Sequence, residues 1–289
     1  MTTELMIRSV LVVGSGAMGW GILRSFAGSG FDATMLSRNP DRLPPLPEGA
    51  HAVGALPADP PDLIIESIPE KPELKIDLFR RLGEAYGDVP VAASNTSGLP
   101  LEDLAAAYGH PHRFVGIHYF HPADVTPLVE VVPVADIDGS VVRRTIAALA
   151  QTGKEALVLK RPVIGFLVNR LQHAILHEAY YLIEQGIVSA EDVDRVARRL
   201  LGPRMCISGL IKQKDLSGLD THALAQQAIV PHLWHGAEPG RVLQDKYERG
   251  DLGLKTGRGF YDWSGRDPVE VRKTAAERLT RLLEFLDKR

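Results

Sequence analysis

Cysteine is nearly missing from this chain, with Cys206 alone among 289 residues. One thiol excludes an intramolecular disulfide and a Cys-rich metal site, and it suits a reducing cytoplasm. Cys206 itself is expected to be a small buried apolar side chain. Charge of one sign is also lacking: 33 Lys and Arg against 36 Asp and Glu leave a net charge of -3. That balance gives no electrostatic reason to expect nucleic acid or an anionic membrane as a partner. No run approaches the roughly 20 apolar residues a membrane helix needs. The early run VLVV is too short for a signal core and leads straight into glycines. Repeats and low-complexity tracts are absent, and LPPLPEG and PADPPD read as proline-rich loops. Apolar material is plentiful, at 45% hydrophobic against 24% charged. That is ample for a sizeable core, and the length fits one large or two ordinary domains.

The organisation changes once along the chain. Up to about residue 162, short apolar runs alternate with helical patterns; SVLVVG, ATML, DLIIESI, VPVAAS, RFVGIHYF, LVEVV and ALVL are the strand candidates. Continuous apolar strands alternating with helices predict a parallel sheet covered on both faces. In PELKIDLFRRLGEAYG, Leu74, Leu78, Phe79 and Leu82 share one helical face. After KRPVIGF the pattern is helical almost throughout. FLVNRLQHAILHEAYYLIEQG is expected to end at Gly186, and SAEDVDRVARRLLG to open on a Ser189/Asp192 capping box and close at Gly202. The last helix, DPVEVRKTAAERLTRLLEFLDKR, sets Val271, Ala275, Leu279, Leu282, Leu283 and Leu286 on one broad stripe that needs a covering surface.

The first chemical motif is VLVVGSGAMGWGI. Val10 to Val13 read as a strand, Gly14, Gly16 and Gly19 fill the positions of G-x-G-x-x-G, and Ala17 and Met18 open the helix that follows. The first glycine permits a tight turn, the second lets the backbone approach a pyrophosphate, and the third lets helix and strand pack closely. The pyrophosphate would then sit on the free N–H groups of a helix N-terminus. Dinucleotide binding is the expectation, with these five residues as cofactor contacts.

An acidic residue is missing where such a site usually has one. NAD-specific folds end the second strand on a carboxylate that accepts from the adenosine ribose diol and would repel a 2′-phosphate. TMLSRNP offers Ser37 and Arg38 there. A hydroxyl can donate to a phosphate and an arginine can pair with it, so NADP is expected in preference to NAD.

Several later segments, in order, closely resemble the L-3-hydroxyacyl-CoA dehydrogenase family: DLIIESIPEKPELKIDLFRRL, VAASNTSGLPLEDLAAAYGHPHRFVGIHYFHPADVTPLVEVV, VIGFLVNRLQHAILHEAYYLIEQGIVSAEDVDRV, DLSGLDT and LGLKTGRGFYDW. Carried over residue by residue, the resemblance implies Ser97, His118, Glu130 and Asn169 as the catalytic group. Oxidising a secondary alcohol requires a base for the hydroxyl proton while a hydride leaves the carbon, and histidine, with an ordinary pKa of about 6.5, suits that task. His118 is the candidate base. Glu130 would accept from its other ring nitrogen, and Ser97 and Asn169 would hold the substrate oxygen. The resemblance further implies Glu70, Lys75 and Asn95 around the nicotinamide ribose. His110, His112 and His121 carry no motif support as ligands, and no metal site is expected.

Three departures from the family pattern matter. Members commonly carry a long helical hairpin after the second strand that packs over CoA, whereas here a short Pro-rich loop joins SRNPDRL to DLIIESI. The family's Asn-Pro after the histidine is His121-Pro122. The segment GPRMCISGLIKQKDLSGLD adds Arg204, Lys212 and Lys214. Relatives acting on small hydroxy acids, such as gulonate 3-dehydrogenase, and a pyridine-carboxylate alcohol dehydrogenase carry a basic residue near the place of Arg204, which would grip a substrate carboxylate. The expectation is thus a Rossmann-type doubly wound α/β domain over residues 1–162 and an all-α substrate and dimerisation domain over 163–289, forming a homodimer by family resemblance. The substrate is a small β-hydroxycarboxylate or a short-chain 3-hydroxyacyl-CoA, with the missing hairpin tilting toward the former. From other classes, a catalytically idle crystallin-like protein and a nicotinamide-sensing protein remain as alternatives.

Overall fold

A computed structural model of the chain describes residues 6–287. The chain forms two compact units, one ending at Arg170 and the other beginning at Leu171.

The first unit is built on a sheet of eight strands among the described residues: β1 (Ser9–Val13), β2 (Asp32–Leu36), β3 (Ala50–Val53), β4 (Leu63–Glu66), β5 (Val91–Ser94), β6 (Phe114–Tyr119), β7 (Leu128–Pro133) and β8 (Glu155–Val158), in the order β3-β2-β1-β4-β5-β6-β7-β8. All residues of β4, β5 and β6 are buried, as strands covered on both faces require. Helices α1 (Ala17–Ala27) and α4 (Gly139–Gln151) cover one face through Ile22, Leu23, Phe26, Val141 and Leu149. Helices α2 (Pro72–Tyr86) and α3 (Leu101–Tyr108) cover the other through Leu78, Phe79, Leu82 and Leu104. Leu74, expected on that apolar face, is exposed and lines a cavity instead.

Two features depart from the expected sheet. The segment read as a loop after β2 contains β3, which extends β2 in parallel with Ala33 opposite Ala50. It escapes sequence patterning because it is a four-residue edge strand with no buried residue. The sheet also turns antiparallel once, between β6 and β7. Residues 120–127 join them, too few for the dozen or more that a parallel crossover needs. Between β2 and β4 the chain holds only β3 and a three-residue 3-10 turn, Pro40–Arg42, with no helical hairpin.

The second unit is helical: after α5 (Val168–Glu184), which starts in the first unit, come α6 (Ala190–Val196), α7 (Gly202–Ser208), α8 (Lys212–Ser217), α9 (Leu219–Ile229), α10 (Arg241–Glu248) and α11 (Pro268–Asp287). Ser189 forms the expected capping box with Asp192. Gly202 does not end that helix. A π-helical turn over Ala197–Leu201 carries the chain into α7, and the stop comes at Gly209, in the left-handed region with φ 71°. Gly202 itself has ordinary helical angles, φ -57° and ψ -54°. Cys206 is exposed, not buried. Ala179 is the one apolar side chain of this unit that is buried among the described residues, and none of the six stripe residues of α11 is.

Candidate active site

The carboxyl ends of β1, β4, β5 and β6 open onto a cavity of about 910 Å³, the place where open α/β sheets bind ligands. Its walls are drawn entirely from the first unit and include Gly14, Gly16, Ala17, Met18, Ser37 and Arg38 on one side and Glu70, Lys75, Asn95, Ser97 and His118 on the other.

The glycine turn fits a dinucleotide on three counts. Gly14 has φ 116°, and a Cβ there would stand 2.5 Å from the Ser67 carbonyl oxygen. At Gly19 a Cβ would collide with the Gly14 carbonyl oxygen. At Gly16 a Cβ would meet nothing within 4 Å, so this glycine faces open space. Gly16 also caps α1 without a side-chain hydrogen bond, leaving the first N–H groups of the helix free for an anion.

At the end of β2, Ser37 is buried, and its hydroxyl lies 3.2 Å from that of Ser15 and accepts from the Asn39 amide at 3.3 Å. Arg38 is exposed on the cavity wall and forms no ion pair among the described residues. Arg81 of α2 lines the same cavity.

The antiparallel β6–β7 join sets His118 directly opposite Glu130. His118 Nδ1 is 2.8 Å from Glu130 Oε2, and both residues are buried, at 5% and 0% exposure. The other carboxylate oxygen, Oε1, accepts from the Leu167 and Val168 amides at 2.9 Å each. Phe166 makes that approach possible. It adopts φ 46°, a conformation costing a non-glycine residue about 1–3 kcal/mol, and the next two amides then meet the carboxylate. Its ring packs 5.5 Å from His118, with Phe120 on the ring at 4.5 Å. Burial would raise the Glu130 pKa, but the hydrogen bonds from His118 and the two amides outweigh it and hold the carboxyl below its usual range. With Nδ1 engaged, Nε2 is the ring nitrogen left to meet a substrate.

Ser97 and Asn169 are brought together, though not hydroxyl to amide: Asn169 Nδ2 donates to the Ser97 carbonyl oxygen at 3.3 Å. Asn169 lies in the first unit and does not line the cavity. The Ser97 amide and hydroxyl donate to Glu70 Oε1 at 2.8 and 3.1 Å, and the Thr96 hydroxyl joins them at 2.6 Å. Asn95 spans strand ends, accepting from the Tyr119 amide at 2.8 Å and donating to the Ser67 hydroxyl at 3.4 Å. Lys75 is only 1% exposed, with its ammonium on Glu66 at 2.7 Å and Glu70 at 2.9 Å. Arg204 is exposed on α7 in the second unit. Among the described residues no group of three or more His, Cys, Asp or Glu is disposed to hold a metal ion, and no helix is long and apolar enough to cross a membrane.

Sequence reasoning missed Glu66, Thr96, Ser15 and Phe166. A signal existed for Glu66, a carboxylate closing an otherwise apolar strand at the ligand-binding edge of the sheet. Phe166 had none, because its role lies in a backbone angle.

Residues 57–162 match the family model of the 3-hydroxyacyl-CoA dehydrogenase NAD binding domain, and residues 165–263 that of the C-terminal domain. A 3-hydroxybutyryl-CoA dehydrogenase of Bradyrhizobium diazoefficiens is 31% identical over 293 residues, covering 92% of this chain and 99% of that protein. A crystal structure of 5-formyl-3-hydroxy-2-methylpyridine 4-carboxylic acid 5-dehydrogenase, described as an NAD+-dependent dismutase, superposes with a TM-score of 0.91 at 25% identity, covering 98% of this chain and all of the other. A 3-hydroxyacyl-CoA dehydrogenase from Archaeoglobus fulgidus superposes at 0.70 with 30% identity over 97% of this chain and 99% of the other. Fold, site and these likenesses agree: the chain belongs to the 3-hydroxyacyl-CoA dehydrogenase family and is a nicotinamide-dependent oxidoreductase acting on a CH–OH group.

Proposed function

We propose that this enzyme oxidises the secondary alcohol of a small free β-hydroxycarboxylate, preferentially with NADP. The observation that carries the chemistry is the buried His118–Glu130 pair at the wall of the dinucleotide cavity. When bound, the nicotinamide supplies the acceptor for the hydride that leaves the substrate carbon. His118 takes the hydroxyl proton on Nε2, Glu130 keeps the Nδ1 proton in place and stabilises the imidazolium, and the products are a ketone and a reduced cofactor. Ser97 and Asn169 hold the substrate oxygen, Ser97 by releasing its hydroxyl from Glu70. Glu70, Lys75 and Asn95 form the nicotinamide end, while Gly14, Gly16, Ala17, Met18 and Gly19 receive the pyrophosphate.

For NADP, the support is Ser37 and Arg38 where a carboxylate would otherwise stand, with Arg81 on the same cavity wall. The solved 5-dehydrogenase that resembles this chain is described as NAD+-dependent, and the NADP preference rests on these cavity residues of this chain alone. For a free carboxylate, the support is the absence of any helical hairpin between β2 and β4 and the higher structural likeness to a pyridine-carboxylate enzyme than to an acyl-CoA enzyme, 0.91 against 0.70. Arg204 is the proposed carboxylate anchor. The second reading, a short-chain 3-hydroxyacyl-CoA dehydrogenase, is favoured by the 31% identity to a 3-hydroxybutyryl-CoA dehydrogenase. The proposed division of labour is dinucleotide binding over residues 1–162 and substrate binding with dimerisation over 163–289, in a cytoplasmic homodimer. Ile211, Leu216 and Leu224, each about 70% exposed, support the dimer, since a unit with one buried apolar side chain among its described residues needs a partner to cover it.

The deciding experiment is initial-rate oxidation with NADP and NAD, each against L-3-hydroxybutyryl-CoA and a panel of small free β-hydroxy acids. Turnover of free acids only, faster with NADP, is expected. Turnover of the thioester alone would replace this reading with the second. No turnover of either, with His118→Ala binding cofactor like the wild type, would return the idle or sensing alternatives.

A further inference from the structure

Besides His118–Glu130, the first unit holds a second charge cluster, in which Glu66 and Lys75 are buried and Glu70 is exposed. Glu66 at the end of β4 is fully buried and receives four hydrogen bonds: Lys75 Nζ to Oε1 at 2.7 Å and to Oε2 at 2.9 Å, the Ile68 amide to Oε1 at 2.7 Å, and the Ser94 hydroxyl to Oε2 at 2.6 Å. The Ser94 hydroxyl donates to Glu66, while its oxygen accepts from the Thr96 amide at 3.2 Å. Every partner donates, so a carboxylic acid proton on Glu66 would face donors on all sides; the group is held as a carboxylate although burial pushes its pKa up. Glu70 is exposed but also meets only donors, with Lys75, Thr96 and the Ser97 amide and hydroxyl all donating to it. Two carboxylates and one ammonium leave the cluster one net negative charge, and Glu70 and Lys75 line the cavity. A structural ion pair needs one carboxylate per lysine. The second, Glu70, is 39% exposed and lines the cavity, so its charge is open to a ligand there.

We propose that this surplus negative charge makes the site favour the oxidised form of the nicotinamide cofactor, with Glu66 as a positioning residue that acts through Lys75 and Glu70. The inference rests on the reading that the cavity takes a dinucleotide: the glycine turn after β1 receives the pyrophosphate, which leaves the nicotinamide half over the ends of β4 and β5, where this cluster stands. The oxidised nicotinamide ring is a pyridinium cation and the reduced ring is neutral, so the two forms differ by one positive charge. A fixed negative charge in a partly desolvated site stabilises the first and leaves the second almost untouched. The bias favours entry of the oxidised cofactor and departure of the reduced one in the direction of alcohol oxidation.

The test is equilibrium binding, not turnover. Dissociation constants for NADP+ and NADPH are measured on the full chain by calorimetry and nicotinamide fluorescence, with 2′,5′-ADP as a probe of the adenosine half alone. Glu66→Gln leaves a neutral Lys75–Glu70 pair and is expected to weaken NADP+ relative to NADPH by about threefold or more, with 2′,5′-ADP affinity unchanged. The double variant E66Q/K75Q removes one charge of each sign and restores the net charge, so its ratio should return toward the wild-type value although the cluster is more disrupted. Glu70→Gln should shift the ratio as Glu66→Gln does, and Glu70→Asp should not; this pair keeps the test alive if Glu66 variants do not fold. An unchanged ratio in the Gln variants, or a double variant that departs further than E66Q, overturns the proposal. Wild-type protein that binds neither NADP(H) nor NAD(H) would instead overturn the dinucleotide reading beneath it.

Discussion

Glu130→Gln is the substitution whose outcome the geometry specifies most closely. The side chain keeps its shape and loses its charge, and the surroundings dictate how the new amide must turn. The Leu167 and Val168 amides both donate to one carboxylate oxygen at 2.9 Å, so the amide oxygen has to occupy that place. Its NH2 group then faces His118 Nδ1 and donates to it, which puts the imidazole proton on Nε2, where the base must be free. The variant therefore loses two things. An ionised partner at 2.8 Å in a fully buried site is worth about 3 kcal/mol to a developing imidazolium, or roughly a hundredfold in rate at about 1.4 kcal/mol per tenfold, and the inverted tautomer adds to that. We expect kcat to fall at least ~100-fold, while cofactor affinity and the KM of the hydroxy substrate stay within about threefold. Steady-state kinetics, calorimetric cofactor binding and a thermal melt measure these three quantities. A kcat loss below tenfold in a variant that melts with the wild type would refute the assignment of Glu130 as the partner of the base.

Other outcomes follow from the same site. Arg38→Ala should lower NADP affinity by about tenfold, a charge-assisted contact of ~1.5 kcal/mol, and leave NAD affinity unchanged; equal effects on both cofactors would contradict the 2′-phosphate role. Gly14→Ala and Gly16→Ala should separate fold from function. At Gly14 a Cβ meets the Ser67 carbonyl at 2.5 Å in a left-handed backbone, so the melting temperature falls; at Gly16 it meets nothing, so the protein melts normally while cofactor affinity drops because the methyl group intrudes on the pyrophosphate cradle. Glu130 and Glu70 are both held below the ordinary carboxylate range. Their folded pKa values lie under the unfolded ones, so the stability they contribute is complete above about pH 4.5 and is lost as pH falls through the depressed values. Urea midpoints between pH 6 and pH 3 should show that loss diminished in Glu130→Gln. Light scattering at micromolar concentration should give a dimer, and a monomer would remove the explanation offered for the exposed apolar side chains of the second unit.

The sequence by itself determined the elements whose patterns are local. Runs of apolar residues announced seven of the strands, most plainly β4, β5 and β6, because a strand covered on both faces must be apolar on both. Gly14 and Gly19 announced the dinucleotide turn because no side chain fits a backbone pressed against another backbone, Gly16 because a bare backbone there leaves room for a ligand, and Ser37-Arg38 stood at a fixed distance beyond it. His118 and Glu130 were legible as chemistry-bearing residues inside apolar strands, though their roles came from family resemblance. Only the tertiary structure decided what depends on partners distant in the chain. The antiparallel turn of β7 makes His118 and Glu130 neighbours, and a parallel strand there would have changed that register. The left-handed Phe166 turns the Leu167 and Val168 amides onto Glu130 across a separation of 37 and 38 residues. Lys75 shares the buried face of α2 with Leu78, Phe79 and Leu82, and its charge is met there by two carboxylates that lie five and nine residues before it. β3 has no buried face to leave a pattern, and it exists because the edge of β2 offers its backbone a hydrogen-bonding partner. Periodicity records which side of an element meets the core. Pairing of charges and the sense of a strand are settled only when separate elements meet, because those interactions act through space and not along the chain.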